Sequence, residues 1–482
     1  MTRGRPRPSP VGAPLAYWAQ HNTAWTTIGV ARLGTSLVSG WLPWTVIALG
    51  VIGAACLLSR RERWWWLYVV PAVLVVSAVA AWLIGNVGGE KLFAKPLKTA
   101  DIIWIGVAVA AIGLAIGFMF RTVWWRKVLA VLAAVAVVAA AGNEINKSYQ
   151  QYPTVADLFG PSAADQVNTL PPITPVTPVT PGPSGSVTSS PTSPPRPAGP
   201  LTATWTPTGP DIPADGKGRV SPITIPNTES GFDARPGWVY LPPAYFAQNP
   251  QPLPVLVLFA GQPGSPDDWL SGDRVQSVMN DFAAAHNGIA PIVVMPDSLG
   301  SELANPLCAD TSLGKVDTYL SKDLPNAVRN QLRVDPDPTH WVVGGFSYGG
   351  TCSLQMATNH PDIYPNFVDI SGESEPTLAY GPDGRKQTVD TAFGGDESRF
   401  IAINPADLLA TKRFPNSDGW FIWGAEDPAN KPDQQKLYTA AQAAGMKVQE
   451  WESAGTGHDW GTVTAALTHV MPWMATQMNL IG

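Results

Sequence analysis

The residues best suited to chemistry lie in the last third of the chain. Trp341-Val-Val-Gly-Gly-Phe-Ser-Tyr-Gly-Gly350 contains Gly345-Phe346-Ser347-Tyr348-Gly349, a G-x-S-x-G pattern. An apolar run suited to a strand precedes it, and Thr351–Asn359 suits a helix. The elbow glycines Gly345 and Gly349 let the chain turn sharply from strand to helix, which lifts a serine oxygen to a helix N-terminus. Such a serine becomes a nucleophile when a base takes its proton and an acid orients that base. The expected order along the chain is serine, acid, histidine.

Six histidines are available. His21, His286 and His340 precede the serine. His360 falls near the end of the helix that Ser347 opens, where interaction with the helix C-terminus is expected. His469 falls in a final helical pattern, Ala465–Met474, where a lone histidine is more often structural. His458, in Gly455-Thr-Gly-His-Asp-Trp460 after the expected strand Lys447–Glu452, is the candidate base. The acid should close the strand before it. Gly419-Trp-Phe-Ile-Trp-Gly-Ala-Glu-Asp-Pro428 offers Asp427, with Glu426 the alternative and Glu373 and Glu375 more distant ones. Asp427 could instead be a turn carboxylate before Pro428.

An oxyanion formed at Ser347 needs two backbone N–H donors. The expected ones are Tyr348, which follows the nucleophile, and Gln262, in Phe259-Ala-Gly-Gln-Pro-Gly264. Cys308 and Cys352 are a candidate disulfide tying an overhanging loop to the helix behind the nucleophile, or equally a pair of buried thiols. No metal-ligand spacing and no phosphate- or dinucleotide-binding fingerprint occurs, so no cofactor is expected.

The elements needed to hold these groups are legible in the same region. Pro254–Ala260, Pro291–Met295, Trp341–Val343 and Trp420–Trp423 are short apolar runs, separated by helical patterns such as Leu320–Leu332 and Pro432–Ala444. Buried strands alternating with helices predict a mostly parallel sheet covered on both faces.

The rest of the chain has a different texture. Only 14% of the 482 residues are charged, while 45% are hydrophobic. Residues 1–150 carry 14 Lys/Arg against 4 Asp/Glu, and the remainder carries 17 against 33. The net charge of −6 thus splits into +10 and −16, and the acidic part speaks against nucleic acid as a partner. Leu37–Leu58, Trp64–Gly89, Ile102–Phe120 and Val128–Asn143 contain no charged residue. The first three have the length of about 20 residues that a bilayer demands, and the last is short. Of 20 tryptophans, 11 precede residue 150, and Trp41, Trp44, Trp64–Trp66, Trp124 and Trp125 mark the run ends. A lipid bilayer is therefore the expected partner, and no protein partner is called for. A signal peptide is not expected, because the first apolar run begins 36 residues in. No ionisable group within a run suggests an ion pathway, so the region reads as an anchor.

An even number of spans places both termini on one side. Tight loops with Arg60, Arg61, Arg63 and Arg121, Arg126, Lys127 favour the cytoplasm, against Arg3, Arg5, Arg7 and Lys91, Lys95, Lys98. The expectation is a multi-pass plasma-membrane protein with its acidic domain outside. Pro171–Pro200 holds 11 prolines in 30 residues and reads as an extended stalk. The expected division is 1–36 extension, 37–145 anchor of four transmembrane helices, 146–200 linker and 201–482 catalytic domain.

Across about residues 215–480 the chain resembles the family of esterase D, enterochelin esterases and mycolyltransferase antigens. The matching pieces are Gly237-Trp-Val-Tyr-Leu-Pro-Pro243, Leu256-Val-Leu-Phe-Ala-Gly261, Val293-Val-Met-Pro-Asp297, Asp323-Leu-Pro325, Gly344-Gly-Phe-Ser-Tyr-Gly-Gly350, Asn359-His-Pro-Asp362, Ile370-Ser-Gly372 and Gly457-His-Asp-Trp460. The resemblance implies an α/β-hydrolase fold with Ser347 as nucleophile, His458 as base and Asp427, or Glu426, as acid. Ala260 departs from the His or Asp common before that glycine, so the family's polar contacts there do not carry over directly. No second tryptophan follows His458 closely and Val463 stands in that vicinity, which weakens a specific assignment as a mycolyltransferase. The anchor and stalk resemble those of membrane-bound actinobacterial esterases. The expected substrate is an ester of an envelope lipid, either an acyl or an aminoacyl lipid, or of a small molecule. Acyl transfer and a non-catalytic binding module on the same fold are the alternatives.

Overall fold

Charge-free runs become helices and short apolar runs become strands. The computed structural model describes residues 34–89, 97–120, 122–159, 166–167, 170 and 199–482. The expected extension up to residue 33, Lys91, Lys95, Arg121 and the proline-rich stretch 171–198 lie outside the described residues.

Among the described residues, four helices form the N-terminal bundle: α1 (Trp41–Leu57), α2 (Trp65–Gly88), α3 (Thr99–Phe118) and α4 (Trp124–Tyr149). Helices α2, α3 and α4 are long and apolar enough to cross a membrane. The short helix is α1, at 17 residues, and not the fourth as the charge-free runs suggest. Its start is set by Gly40, at φ 77°, behind a segment held by Leu37 N–H donating to Pro153 O. Helix α4 instead gains polar turns beyond Asn143, with Lys147 paired to Glu144 at 3.0 Å, and ends past the expected boundary at 145. Small residues let α1 and α4 approach closely, since a Cβ on Gly53 would lie 2.6 Å from Ala133 O. Large apolar side chains such as Trp44, Leu67, Val75, Ile103 and Val135 face outward.

The bundle alternates up and down, and its two ends differ in chemistry. At one end Arg60 donates to the carbonyls of Phe118 and Phe120 and lies over the rings of Trp64, Trp65 and Phe118. At the other, Asp101, one residue outside the expected third run, sits in the first turn of α3 and accepts from Tyr149 Oη at 2.6 Å. The remaining domain packs at this second end.

That domain is built on one eight-stranded sheet. Its strands are β1 (Arg219–Ile223), β2 (Gly237–Leu241), β3 (Val255–Phe259), β4 (Ile292–Met295), β7 (Val342–Phe346), β8 (Asn366–Ile370), β9 (Asp418–Gly424) and β10 (Lys447–Ser453). A two-residue hairpin, β5 (Asp310–Thr311) with β6 (Gly314–Lys315), stands apart. The order is β1-β2-β4-β3-β7-β8-β9-β10, parallel from β4 onward and antiparallel where β2 meets β1 and β4. Helices α5 (Arg274–Ala285), α6 (Leu324–Gln331), α7 (Tyr348–Asn359), α8 (Lys431–Ala443) and α9 (Trp460–Gln477) accompany the sheet. Every residue of β3, β4, β7 and β8 is buried, which explains the continuous apolar sequences of β3, β4 and β7; β8 also buries Asn366 and Asp369.

The chain leaving α4 does not run straight into a free stalk. Arg274 donates to the carbonyls of Gln150 (2.5 Å), Gln151 (2.8 Å) and Asp268 (2.6 Å), while Gln151 Nε2 donates to Asp268 Oδ1 at 2.6 Å. Gly272 N–H donates to Asp157 Oδ1 at 2.6 Å. Residues 150–157 thus form a collar between bundle and sheet domain.

Candidate active site

Strand β7 delivers Ser347 through a turn that only small neighbours permit. A Cβ on Gly345 would stand 2.1 Å from Gly349 O, and one on Gly349 would stand 2.1 Å from Phe259 O. Ser347 itself adopts φ 58°, ψ −120°, a conformation held against its intrinsic cost by the surrounding structure. Its N–H donates to Ile370 O and its carbonyl accepts from Thr351 N–H, so the elbow is fixed from the neighbouring strand and from α7.

The parallel sheet brings the other two groups to the same edge, at the carboxyl ends of β9 and β10. His458 Nε2 lies 2.9 Å from Ser347 Oγ, and His458 Nδ1 lies 2.9 Å from Asp427 Oδ2. Asp427 is buried, whereas Glu426 is exposed and engages the histidine loop through its backbone, its N–H donating to Thr456 O. Burial works to raise the Asp427 pKa, but hydrogen bonds from His458 and Asn430 and the charge of His458 outweigh it and hold the carboxyl down at about 2. The carboxylate is therefore ionised throughout the neutral range.

Asn430 is a neighbour that sequence reasoning missed. Its buried carboxamide approaches both Asp427 oxygens, at 3.3 and 3.1 Å, and stands 2.6 Å from His458 Nδ1. Its spacing of three from Asp427 at the mouth of α8 was the available signal. Phe346 packs on the His458 ring with centroids 4.8 Å apart and also contacts Trp460 at 5.3 Å.

The expected oxyanion donors are both beside the serine. Tyr348 opens α7, and the Gly261–Gln262 turn abuts the elbow, since a Cβ on Gly261 would stand 3.5 Å from Ser347 Cβ. The Gln262 side chain donates to Leu303 O. The Tyr348 phenol is buried under the 298–308 loop, donating to Ser298 O and accepting from Cys308 N–H. Cys308 and Cys352 are joined in a disulfide, with Cα atoms 5.5 Å apart, which links this loop to α7. Behind the elbow, fully buried Asp369 is pushed up to about 7 by desolvation, despite bonds from Gln434 and Gly372 N–H.

His21 lies outside the described residues, and the other described histidines are engaged elsewhere. His360 stands at the C-terminus of α7, its backbone N–H donating to Met356 O, but its imidazole pairs with Asp317 at 2.8 Å instead of with the helix end. His469 stacks on Trp451 with centroids 4.2 Å apart. Glu373 accepts from Tyr380, and Glu375 pairs with Arg385 at 3.2 Å. Among the described residues no cluster of His, Cys, Asp or Glu has the form of a metal site.

A mostly parallel sheet with a serine elbow after β7, an acid after β9 and a histidine after β10 has the form of the α/β-hydrolase fold. The profile of the family described as "Putative esterase" matches residues 233–473. An uncharacterized protein of Corynebacterium glutamicum is 34% identical over 460 residues, covering 92% of this chain and 98% of that one. The chain belongs to this esterase family. Among solved structures, a ferulic acid esterase is similar at 19% identity and TM-score 0.44, covering 54% of this chain and 99% of its own. An S-formylglutathione hydrolase from Agrobacterium tumefaciens is similar at 15% identity and TM-score 0.44, covering 55% and 96%.

Proposed function

We propose that the protein is a membrane-anchored serine esterase whose catalytic domain works on the outer face of the plasma membrane. The observation that carries this is the line from Ser347 Oγ to His458 Nε2 and from His458 Nδ1 to Asp427 Oδ2, each step 2.9 Å. In this reading His458 takes the Ser347 proton as Oγ attacks an ester carbonyl. The backbone N–H groups of Tyr348 and Gln262 hold the oxyanion, and His458 then protonates the departing alcohol. Water, activated by the same histidine, releases the acid from the acyl enzyme. Asp427, ionised and supported by Asn430, stabilises the imidazolium between the two proton transfers.

The charges at the bundle ends support this location. The Arg60 end carries Arg60, Arg61, Arg63, Arg126 and Lys127, which the positive-inside rule assigns to the cytoplasm, and the catalytic domain sits at the opposite end. A disulfide joining Cys308 to Cys352 suits an oxidising compartment. The substrate is then an envelope ester, an acyl or aminoacyl lipid being favoured by attachment to the bilayer. Ser347→Ala tests the core of the reading. Hydrolysis of p-nitrophenyl acetate by the full chain should fall by about 10⁶-fold in kcat, and fluorophosphonate labelling should vanish. A variant that kept hydrolysis would remove Ser347 from the mechanism. A wild type that folded without labelling would favour a binding module, and ester transfer to an added sugar would favour an acyltransferase.

A further inference from the structure

Outside the catalytic site, an open cleft lies where the anchor meets the sheet domain. This cleft of about 710 Å³ is lined by Gln150, Pro153 and Arg274 on the collar side and by Trp451, Trp460 and His469 among others on the domain side. Its volume falls within the range of small-molecule sites, roughly 300–1,000 Å³.

Three observations say what it suits. The first is its height. Asn143 ends the charge-free run of α4, and Gln150 follows seven residues later, about 10 Å further along a helix rising 1.5 Å per residue. The near edge of the cleft therefore stands at the outer margin of the headgroup layer, where the ligands at hand are amphiphiles. The second is its walls. Trp451 with His469 stacked upon it, Trp460 and Ala465 present aromatic and apolar surface. The third is its charge. The domain beyond residue 150 has 33 acidic residues against 17 basic ones, yet among the described residues the only ionisable groups lining the cleft are Arg274 and His469. Arg274 is lodged over the Trp460 ring at 4.5 Å, and its recorded hydrogen bonds go to carbonyl oxygens. The nearby carboxylates Asp268 and Asp157 accept from Gln151, Ser265 and Gly272.

We propose that this cleft binds the phosphodiester headgroup of an anionic membrane phospholipid, with the head between Arg274 and His469 and the glycerol end against Trp451, Trp460 and Ala465. The inference rests on the reading of α2–α4 as membrane spans. An occupant would also brace the catalytic wall, because Trp460 packs on Phe346 and Phe346 packs on His458.

The test uses the full chain reconstituted in vesicles. One set contains photoactivatable phosphatidylglycerol carrying a diazirine near the carboxyl end of one acyl chain, and the other contains the matching phosphatidylcholine. Labelled peptides are then mapped. Phosphatidylglycerol should mark residues 451–469 as well as the spans, and phosphatidylcholine should mark the spans but the cleft several-fold less. Ala465→Trp, which fills the cleft, should abolish cleft labelling while span labelling and the circular dichroism of the reconstituted chain stay those of wild type. Should that variant fail to fold, His469→Glu at the exposed rim should lower cleft labelling by about fivefold, as expected for a charge change at an anionic surface. Labelling of the spans alone, equal cleft labelling by both lipids, or cleft labelling unchanged in the variants overturns the proposal. If the spans themselves stay unlabelled, it is the membrane reading that fails.

Discussion

Replacing Asp427 by Asn separates the proposed acid from its neighbour Glu426 and from a merely structural turn carboxylate. The substitution keeps the shape of the side chain and its position at the end of β9, but removes the charge facing His458 Nδ1 at 2.9 Å. An amide there can settle the imidazole in the wrong tautomer, with no acceptor for the Ser347 proton. In a Ser-His-Asp enzyme that change costs about 10⁴-fold in kcat, or about 5.5 kcal/mol at 1.36 kcal/mol per decade. Glu426→Gln should leave kcat within about twofold, because that side chain is exposed and away from the imidazole. Stability offers a second readout. Holding the Asp427 carboxyl at about 2 instead of 3.8 is equivalent to about 2 kcal/mol. Because the folded pKa is depressed, this contribution is complete above the unfolded value near 3.8 and disappears as pH falls through about 2. Comparison of wild type and Asp427→Asn by chemical unfolding at pH 7 and pH 3 should show the gap narrowing in acid. Ester hydrolysis with active-site titration supplies the rates. An Asp427→Asn enzyme within tenfold of wild type, or a Glu426→Gln enzyme with the larger loss, would refute the assignment.

Two further outcomes follow from charge and packing. Arg274→Gln leaves the carbonyls of Gln150, Gln151 and Asp268 short of a charged donor; the domain should lose about 3 kcal/mol, read as a lower Tm and faster proteolysis within residues 150–157. If electrostatic attraction to the acidic domain selects substrates, hydrolysis of a cationic aminoacyl ester should fall with added salt while that of a neutral ester stays level; an identical salt response would refute that selection.

The parts of the site read from sequence are those where local chain geometry and chemistry coincide. Ser347 was legible because Gly345 and Gly349 record the close approaches of Gly349 O and Phe259 O in residue type. His458 was legible by chain order. Asn430 was not, because an asparagine beside Pro-rich turns has many ordinary uses, and only the packing of α8 against the ends of β9 and β10 turns its amide toward Asp427. The bundle shows the same division. Absence of charge located the apolar runs but not their helix lengths, since the start of α1 depends on a contact between Leu37 and Pro153, 116 residues apart. The collar was invisible for a related reason. Residues 150–157 carry no periodicity, and Arg274 reads as one more surface cation until the fold buries it against their carbonyls. Its effect on function follows from that contact. A domain on a long proline-rich stalk could sample many orientations, whereas one clamped through Arg274 at the exit of α4 holds a fixed pose against the bundle. Under the membrane reading proposed above, the cleft beside Trp460 and the Ser347 elbow would be held at set heights above the headgroups, and the clamp, more than the anchor, would select which esters reach the serine.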